Sequence, residues 1–300
     1  MNLNLMTQSL EGKVAIVTGG AQGIGYAVTK KLVYEGACVL FADIDATAAR
    51  IVEQELGSSA IAFVGDLLAT GTPEALVAQA VERFGALDIV VNNAGFHWDS
   101  LVHKMSDAQW QAMLDIHMTV PFRILRAAGP HFIQAAQREA QAGREVFRKV
   151  VNVSSLAGSF GNVGAANYSA AKAGVIGLTK ALAKEWGPYK VNVNAAAFGI
   201  IQTRLGLPQG QHNRVTIGGN DVQLGVSDRV LKAMGISEER KPEDLVESVY
   251  EPRAIKNIPL GRAGHISEAA DTVFYLCSPL SNYVTGQVLA ASGGSAGGMS

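Results

Sequence analysis

Short runs of apolar, mostly β-branched residues alternate with longer helical patterns along most of this 300-residue chain. Runs that are apolar throughout are typical of parallel strands covered on both faces. Because β–α–β crossovers are right-handed, the pattern predicts a single doubly wound α/β sheet with helices on both faces. The predicted strands are 14–17, 38–42, 61–64, 87–91, 150–153 and 191–197. The predicted helices are 24–34, 46–56, 73–84 and 165–186, with a long helix from 107 that is interrupted near Pro121.

Two segments break this alternation. Residues 137–149 are charged and favour helix, so we expect a solvated helical extension. Residues 204–256 have low periodicity, although 228–234 and 242–249 could be short helices. A stretch this long inside a compact domain is usually a lid, a binding element or a disordered segment. We expect residues 1–300 to form one domain in which 204–256 is a substrate lid.

Composition excludes several classes of function. The 25 Lys and Arg against 26 Asp and Glu give a formal net charge of −1, which attracts neither nucleic acid nor an anionic membrane. No apolar run approaches the roughly 18 residues of a membrane span, and the N-terminus does not read as a signal peptide. Two cysteines without a C-x-x-C motif fit a reduced compartment. These features predict a cytoplasmic protein without nucleic-acid or membrane partners.

A glycine-rich turn, TGGAQGIG, lies between the first predicted strand and its helix. Glycines let the backbone turn sharply and approach a pyrophosphate, while the helix N-terminus offers free N–H groups and a positive dipole. The spacing is G-x3-G-x-G, yet the strand–turn–helix context is the one that a dinucleotide site requires. The turn therefore predicts a Rossmann-type fold with a nucleotide site. Its candidate contacts are Gly19, Gln22, Gly23, Ile24 and Gly25.

Asp43 ends the second predicted strand, where a carboxylate would accept hydrogen bonds from the adenosine ribose hydroxyls. It would also repel the 2′-phosphate of NADP, and no Arg or Lys stands beside it. Alternatively, Asp43 or Asp45 caps the helix that begins near Ala46, a role that suits Asp45 better. The sequence predicts NAD as the cofactor. Asp66, just after the third strand, could meet the adenine or could cap its own loop.

Tyr168 and Lys172 are four residues apart at the start of a predicted helix, so they share one face. Lowering the pKa of a phenol from about 10 to about 7 takes roughly 4 kcal/mol. A cation about 4 Å away supplies that much at an effective dielectric of about 20. Lys172 and an oxidised nicotinamide could therefore jointly make Tyr168 a general acid/base. Ser155 could hold the substrate oxygen, and Ser154 would point elsewhere, although a Tyr-x3-Lys pair alone is common on surface helices.

Together these residues resemble the short-chain dehydrogenase/reductase family over nearly the whole chain. The matching motifs are TGGAQGIG, NNAG at 92–95, Ser155 followed by Tyr168-Ser-Ala-Ala-Lys172, and IPLGR at 258–262. The resemblance implies hydride transfer between a nicotinamide and a carbonyl or secondary alcohol. It implies that Tyr168 transfers the proton, that Ser155 orients the substrate oxygen and that Lys172 holds the nicotinamide ribose.

The same resemblance implies further contacts and an assembly. Asn93, Ala94 and Gly95 match the wall of the cofactor cleft, and Ile201 and Thr203 match positions that contact nicotinamide. The family commonly forms homotetramers or homodimers.

Three positions depart from the family pattern. His117 stands where the family carries a catalytic Asn that supports a water leading from the Lys to solvent. Its imidazole could take over that role, adding a group that titrates near 6.5, or it could be a packed helix residue. Phe198 replaces the usual Pro after the sixth strand, and Ser292 replaces the usual Asp before the final Gly-Gly.

His117 and the run GNVGAANY at 161–168 are similar to hydroxyacyl-thioester reductases, including 3-oxoacyl carrier-protein reductases. This implies a 3-oxoacyl or 3-hydroxyacyl thioester as the small-molecule substrate. The alternatives are a sugar or simple secondary-alcohol dehydrogenase and a catalytically weak nucleotide-binding regulator, against which the retained Ser155, Tyr168 and Lys172 argue.

The other histidines, His97 among them, lack metal-ligand spacing, so we interpret them as surface or core residues and expect no metal. Phe96 and Trp98 could line the substrate pocket or simply pack in their loop.

Overall fold

The computed structural model describes residues 9–203, 214–217, 220–223 and 258–295. Among these residues, seven parallel strands form one sheet: β1 (Val14–Thr18), β2 (Cys38–Asp43), β3 (Ala60–Val64), β4 (Ile89–Asn92), β5 (Arg148–Ser155), β6 (Val191–Phe198) and β9 (Val288–Ala291). Their order in the sheet is β3-β2-β1-β4-β5-β6-β9. An antiparallel pair, β7 (Arg214–Ile217) and β8 (Asn220–Gln223), stands apart from it. The predicted doubly wound parallel sheet is confirmed.

Helices cover both faces of this sheet. They are α1 (Gly23–Tyr34), α2 (Ala46–Leu56), α3 (Thr72–Phe84), α4 (Asp107–Leu114), α5 (Val120–Gln141), α6 (Leu156–Phe160), α7 (Ala166–Trp186) and α8 (Ile266–Cys277). Successive residues of a strand point to opposite faces of the sheet. Val17 and Val91 pack towards α1, α2 and α8, whereas Ile16 and Val90 pack towards α3, α5 and α7. None of the helices within the described ranges combines the length and apolar character needed to cross a bilayer.

The long helix is interrupted by a π-helical turn at Asp115–Thr119, which ends two residues before Pro121. α5 then continues through Gln141, so it includes the first part of the charged segment 137–149. An ion pair joins the buried Arg148 at the start of β5 to the partly exposed Glu139 of α5: the two terminal nitrogens of Arg148 donate to the carboxylate of Glu139 at 2.8 and 2.7 Å. This bidentate pair fixes the end of the helix against the sheet.

Sequence patterns missed three kinds of element. α6 has only five residues, and β9 is a four-residue strand at the edge of the sheet. The β7–β8 pair lies within the predicted lid, and the signal for it was a Gly-Gly dipeptide between two short strand-like runs. The possible short helices at 228–234 and 242–249 lie outside the described residues.

Candidate active site

The glycine-rich turn crosses from β1 into α1 at the carboxyl edge of the sheet. Gly19 and Gly23 have φ values of +62° and +56°, which residues with a side chain rarely adopt. A Cβ at Gly25 would overlap the carbonyl of Gly19 and the side-chain amide of Asn93. Gln22 precedes the helix without capping its first N–H groups, and its amide donates instead to Asp45 at 2.8 Å. The first turn of α1 therefore retains the N–H donors that a phosphate would need.

Thr18 and Asn93 join this turn to the end of β4. The Thr18 hydroxyl accepts hydrogen bonds from the backbone N–H groups of Asn93 at 2.9 Å and Ala94 at 3.0 Å. The Asn93 amide donates to the carbonyls of Thr18 at 2.9 Å and Gly19 at 3.2 Å. The NNAG segment is thereby held against the glycine-rich turn as one side of a cleft.

The acidic residues near the cleft have different partners. Asp45 caps α2 by accepting from the N–H groups of the first turn, as the sequence indicated. Asp43 accepts from the backbone N–H groups of Ala21 and Asp45, both at 3.0 Å. Burial raises the pKa of Asp43, while these two bonds oppose the rise. Asp66 accepts from the N–H of Leu68 at 2.9 Å, so it caps its own loop.

Residues after β6 approach the same cleft. Thr203 lies across from the glycine-rich turn, since its Cγ2 is 3.8 Å from the position of a Cβ built on Gly23. Ile201 forms a parallel β-bridge with Gly264. Phe198 is buried in the core, and Ser292 donates to the carbonyl of Ser295 at 3.2 Å.

Ser155, Tyr168 and Lys172 meet at the carboxyl end of β5. The Ser155 hydroxyl accepts from the N–H of Ala157 at 3.1 Å and lies close enough to Tyr168 to lower the pKa of its phenol. The Lys172 Nζ donates to the carbonyl of Val153 at 2.7 Å and lies 5.6 Å from the centroid of the Tyr168 ring. Ser154 points elsewhere, as expected, and donates to the carbonyl of Lys172 at 3.1 Å. The sequence therefore identified three side chains that the fold brings together.

The protein by itself does not lower the pKa of Tyr168. Burial raises that pKa to about 12, although the Ser155 side chain opposes the rise and the charge of Asp99 adds to it. Burial also lowers the pKa of Lys172 to about 7. Both shifts follow from the cost of holding a charge away from water.

His117 lies in the π-helical turn and is only 4% exposed. Its Nε2 is 2.8 Å from the carbonyl oxygen of Phe96, so Nε2 carries the proton and donates. Its Nδ1 is buried without a hydrogen-bond partner, and a Cβ at Gly95 would overlap this side of the ring. The ring meets Tyr168 edge-on, with centroids 5.0 Å apart.

The predicted titration of His117 near 6.5 is wrong. Burial, together with the charge of Lys172, holds the pKa of His117 well below its usual value. The ring is therefore neutral at physiological pH. Because Nε2 is bound to Phe96 and Nδ1 packs against Gly95, the geometry favours a positioning role.

Sequence reasoning missed His97 and Asn167. The His97 ring lies against Tyr168, with centroids 4.2 Å apart. His97 follows the NNAG motif by two residues, in a loop at the carboxyl edge of the sheet. Sheets of this kind bind ligands at that edge, so the position could have indicated a site residue. Asn167 is buried and fixes the start of α7, and its Oδ1 accepts from the N–H of Tyr168 at 2.8 Å. Phe96 packs in the core, which supports loop packing over a pocket-lining role.

Comparisons with known proteins agree with this geometry. Residues 13–213 match the family model described as short chain dehydrogenase, and residues 240–296 match one described as Enoyl-(Acyl carrier protein) reductase. The chain is 33% identical over 288 residues to the 3-oxoacyl-[acyl-carrier-protein] reductase FabG of Thermotoga maritima, covering 95% of this chain and 98% of that protein. It is 32% identical over 286 residues to the FabG of Vibrio harveyi, with the same coverage of 95% and 98%.

A solved structure is also similar. It is the crystal structure of 3-ketoacyl-(acyl-carrier-protein) reductase from Brucella melitensis complexed with NADH. The TM-score is 0.75 at 26% identity, covering 95% of this chain and 99% of that one.

Proposed function

Since the chain belongs to the short-chain dehydrogenase family, we propose that it is an NAD-dependent oxidoreductase that interconverts 3-oxoacyl and 3-hydroxyacyl thioesters. The observation that carries this proposal is the meeting of Ser155, Tyr168 and Lys172 beside the glycine-rich cleft. The thioester substrate is supported by the names of the relatives at 32–33% identity.

The cleft fits a dinucleotide. Because Gly25 has no Cβ, the glycine-rich turn can fold tightly beside the cleft. The first turn of α1 has no side-chain cap, so its N–H groups are available to a pyrophosphate. We propose that Gly19, Gln22, Gly23 and Ile24 approach it with Gly25, and that Asp43 binds the adenosine ribose. Bound NADH would supply the hydride, and bound NAD⁺ would accept it.

The remaining cofactor contacts are also proposals. Asn93, Ala94 and Gly95 would form one wall of the cleft, and Thr203 would face it from beyond the glycine-rich turn. Ile201 would contact the nicotinamide from the segment that its bridge with Gly264 fixes. For Asp66, which caps its own loop, an adenine contact would use the carboxylate oxygen that does not accept from Leu68.

Tyr168 would transfer the proton. When a ketone is reduced, the phenol donates its proton to the carbonyl oxygen, which Ser155 holds by a hydrogen bond. The phenolate that results needs positive charge close by, because burial in the protein alone raises the pKa of Tyr168 to about 12. Lys172 in its protonated form and the charge of an oxidised nicotinamide would together supply it.

His117 would position this machinery. Its neutral ring binds the Phe96 carbonyl, packs on Gly95 and touches the Tyr168 ring, so it connects the NNAG segment to the tyrosine. Replacing it would therefore disturb how the cofactor wall and the proton donor are aligned.

The test is an assay of NADH oxidation with the purified protein and an acetoacetyl thioester, with simple ketones and keto sugars in parallel. We expect the highest kcat/KM for the thioester. A higher value for a keto sugar or a simple ketone would contradict the thioester proposal, and NADH binding without any turnover would favour a regulator.

We also propose a homo-oligomer. β9 is an edge strand of the described sheet, and Leu280 and Tyr283 nearby in sequence are 68% and 104% exposed. Large exposed apolar side chains that are close together in the sequence are candidates for an interface. Sedimentation analysis should give a dimer or tetramer, and a monomer at micromolar concentration would contradict this proposal.

A further inference from the structure

His97 contacts the ring of Tyr168, and the function proposed above gives it no task. The two ring centroids are 4.2 Å apart and the rings are tilted by 43°. The His97 side chain is 27% exposed, whereas its Nδ1 is buried and lies 3.7 Å from Oδ1 of Asp99. The exposed part of the imidazole is therefore the rest of the ring, where Nε2 lies.

The loop that carries His97 is fixed to the catalytic helix. Asn167, at the start of α7, donates to the carbonyl of Trp98 at 3.1 Å and to that of Gln109 at 3.0 Å. Ser100 forms a parallel β-bridge with Ala165, just before the same helix. His97 is thus held beside Tyr168 by contacts at Trp98 and Ser100, which follow it closely in the sequence.

Asp99 determines how the His97 ring is used. Its Oδ1 and the Nδ1 of His97 are buried 3.7 Å apart, and neither has a hydrogen-bond partner among the described residues. Buried polar atoms are nearly always paired, and the tautomer of a histidine follows the partner of one nitrogen. The 3.7 Å between the two atoms is longer than a hydrogen bond, so the pairing of Nδ1–H with Asp99 would form when a ligand binds. A carbonyl oxygen can only accept, so the ring that pairs with Asp99 and also binds such an oxygen through Nε2 is the imidazolium, in which both nitrogens donate.

A 3-oxoacyl thioester has two carbonyl groups, separated by one methylene group. Ser155 and Tyr168 account for the 3-oxo oxygen, and nothing assigned so far binds the thioester oxygen. We propose that His97, oriented by Asp99, binds the thioester carbonyl oxygen and so makes the site prefer 3-oxoacyl thioesters over simple ketones. This inference rests on the proposed function. It assigns His97 as a specificity-determining residue.

The test compares two substrates in matched variants, with NADH as the reductant. The substrates are the N-acetylcysteamine thioester of acetoacetate and a methyl ketone of similar length without a thioester. His97→Phe keeps a ring against Tyr168 and removes both nitrogens. We expect it to lower kcat/KM for the thioester about tenfold, mainly through a higher KM, and to leave the ketone within about twofold.

Three further variants sharpen the result. His97→Gln restores a donor and should recover part of the thioester preference. Asp99→Asn should reduce that preference, because the charge that orients the ring is lost. His103→Phe removes an exposed histidine of the same loop and should change neither substrate. Circular dichroism and Tm of each variant show whether it is folded.

The outcomes separate this inference from the function on which it rests. Wild-type protein that reduces the ketone but not the thioester contradicts both. Wild-type protein that reduces the thioester, with an unchanged substrate ratio in folded His97→Phe and His97→Gln, overturns the role of His97 alone. An equal loss on both substrates assigns His97 a role in the alignment of Tyr168 and also overturns the inference.

Discussion

Replacing Asp43 with Asn is expected to weaken the preference for NADH over NADPH. The carboxylate is held beside the glycine-rich turn by the N–H groups of Ala21 and Asp45, both at 3.0 Å. Two like charges about 5 Å apart repel by about 1 kcal/mol at the dielectric of water and by about 3 kcal/mol at an effective dielectric of 20. That cost to a 2′-phosphate corresponds to roughly fourfold to two-hundredfold in relative affinity. Asn keeps the shape and one acceptor oxygen but removes the charge.

The assay measures kcat/KM for NADH and for NADPH with one substrate. We expect the unmodified protein to prefer NADH by at least about tenfold and Asp43→Asn to remove most of that ratio. Asp45→Asn is the matched control, because it removes the same charge two residues away, where Asn is an equally good helix cap. Its ratio should stay within about twofold of the parent. Equal or better kcat/KM with NADPH in the unmodified protein would refute the reasoning.

Three further predictions concern the proton donor Tyr168, the positioning residue His117 and the ion pair between Glu139 and Arg148. Tyr168→Phe should lower kcat by about 10²- to 10⁴-fold while the Kd for NADH, measured by fluorescence, changes little; retained turnover would refute its role. His117→Ala should lower Tm, since a buried ring is lost. It should leave the shape of the pH–kcat curve unchanged, because the ring is neutral. If the variant lost an inflection of that curve near pH 6.5, the histidine would titrate and the positioning role would be refuted. Glu139→Gln leaves the buried Arg148 charge unpaired, so urea unfolding should show a loss of about 3 kcal/mol at pH 7. Because its hydrogen bond to Arg148 lowers the pKa of Glu139 below 4.5, this difference from the parent should shrink as the pH falls through that lowered pKa, and a constant difference would contradict the assignment.

Sequence patterns were most informative for strands in which every residue is buried. The central strands β1 and β4 are mainly apolar and buried along their whole length, so their residues could be assigned without knowledge of their neighbours. The π-helical turn at Asp115–Thr119 could not be predicted in the same way. Its one extra residue per turn leaves no periodic signal, and Pro121 showed only that the helix is interrupted nearby.

The site was predictable to the extent that its residues follow strands or share a helix face. Spacing alone placed Lys172 next to Tyr168. The direction of the Tyr168 pKa shift was not predictable, because it depends on burial, and the rings that contact Tyr168, those of His97 and His117, are distant in the sequence. The contact of His97 with the tyrosine depends on its loop, which Asn167 fixes through hydrogen bonds that no local pattern reveals.

The contact between Gly95 and His117 restricts the order in which substitutions at these two positions could have arisen in this protein. A methyl group at position 95 would occupy the space of the imidazole, so the two positions are epistatic. A lineage that carries His at 117 can explore substitutions at 95 only after the histidine has been replaced. Ancestral histories of this protein should therefore show glycine already present at 95 when the imidazole arose.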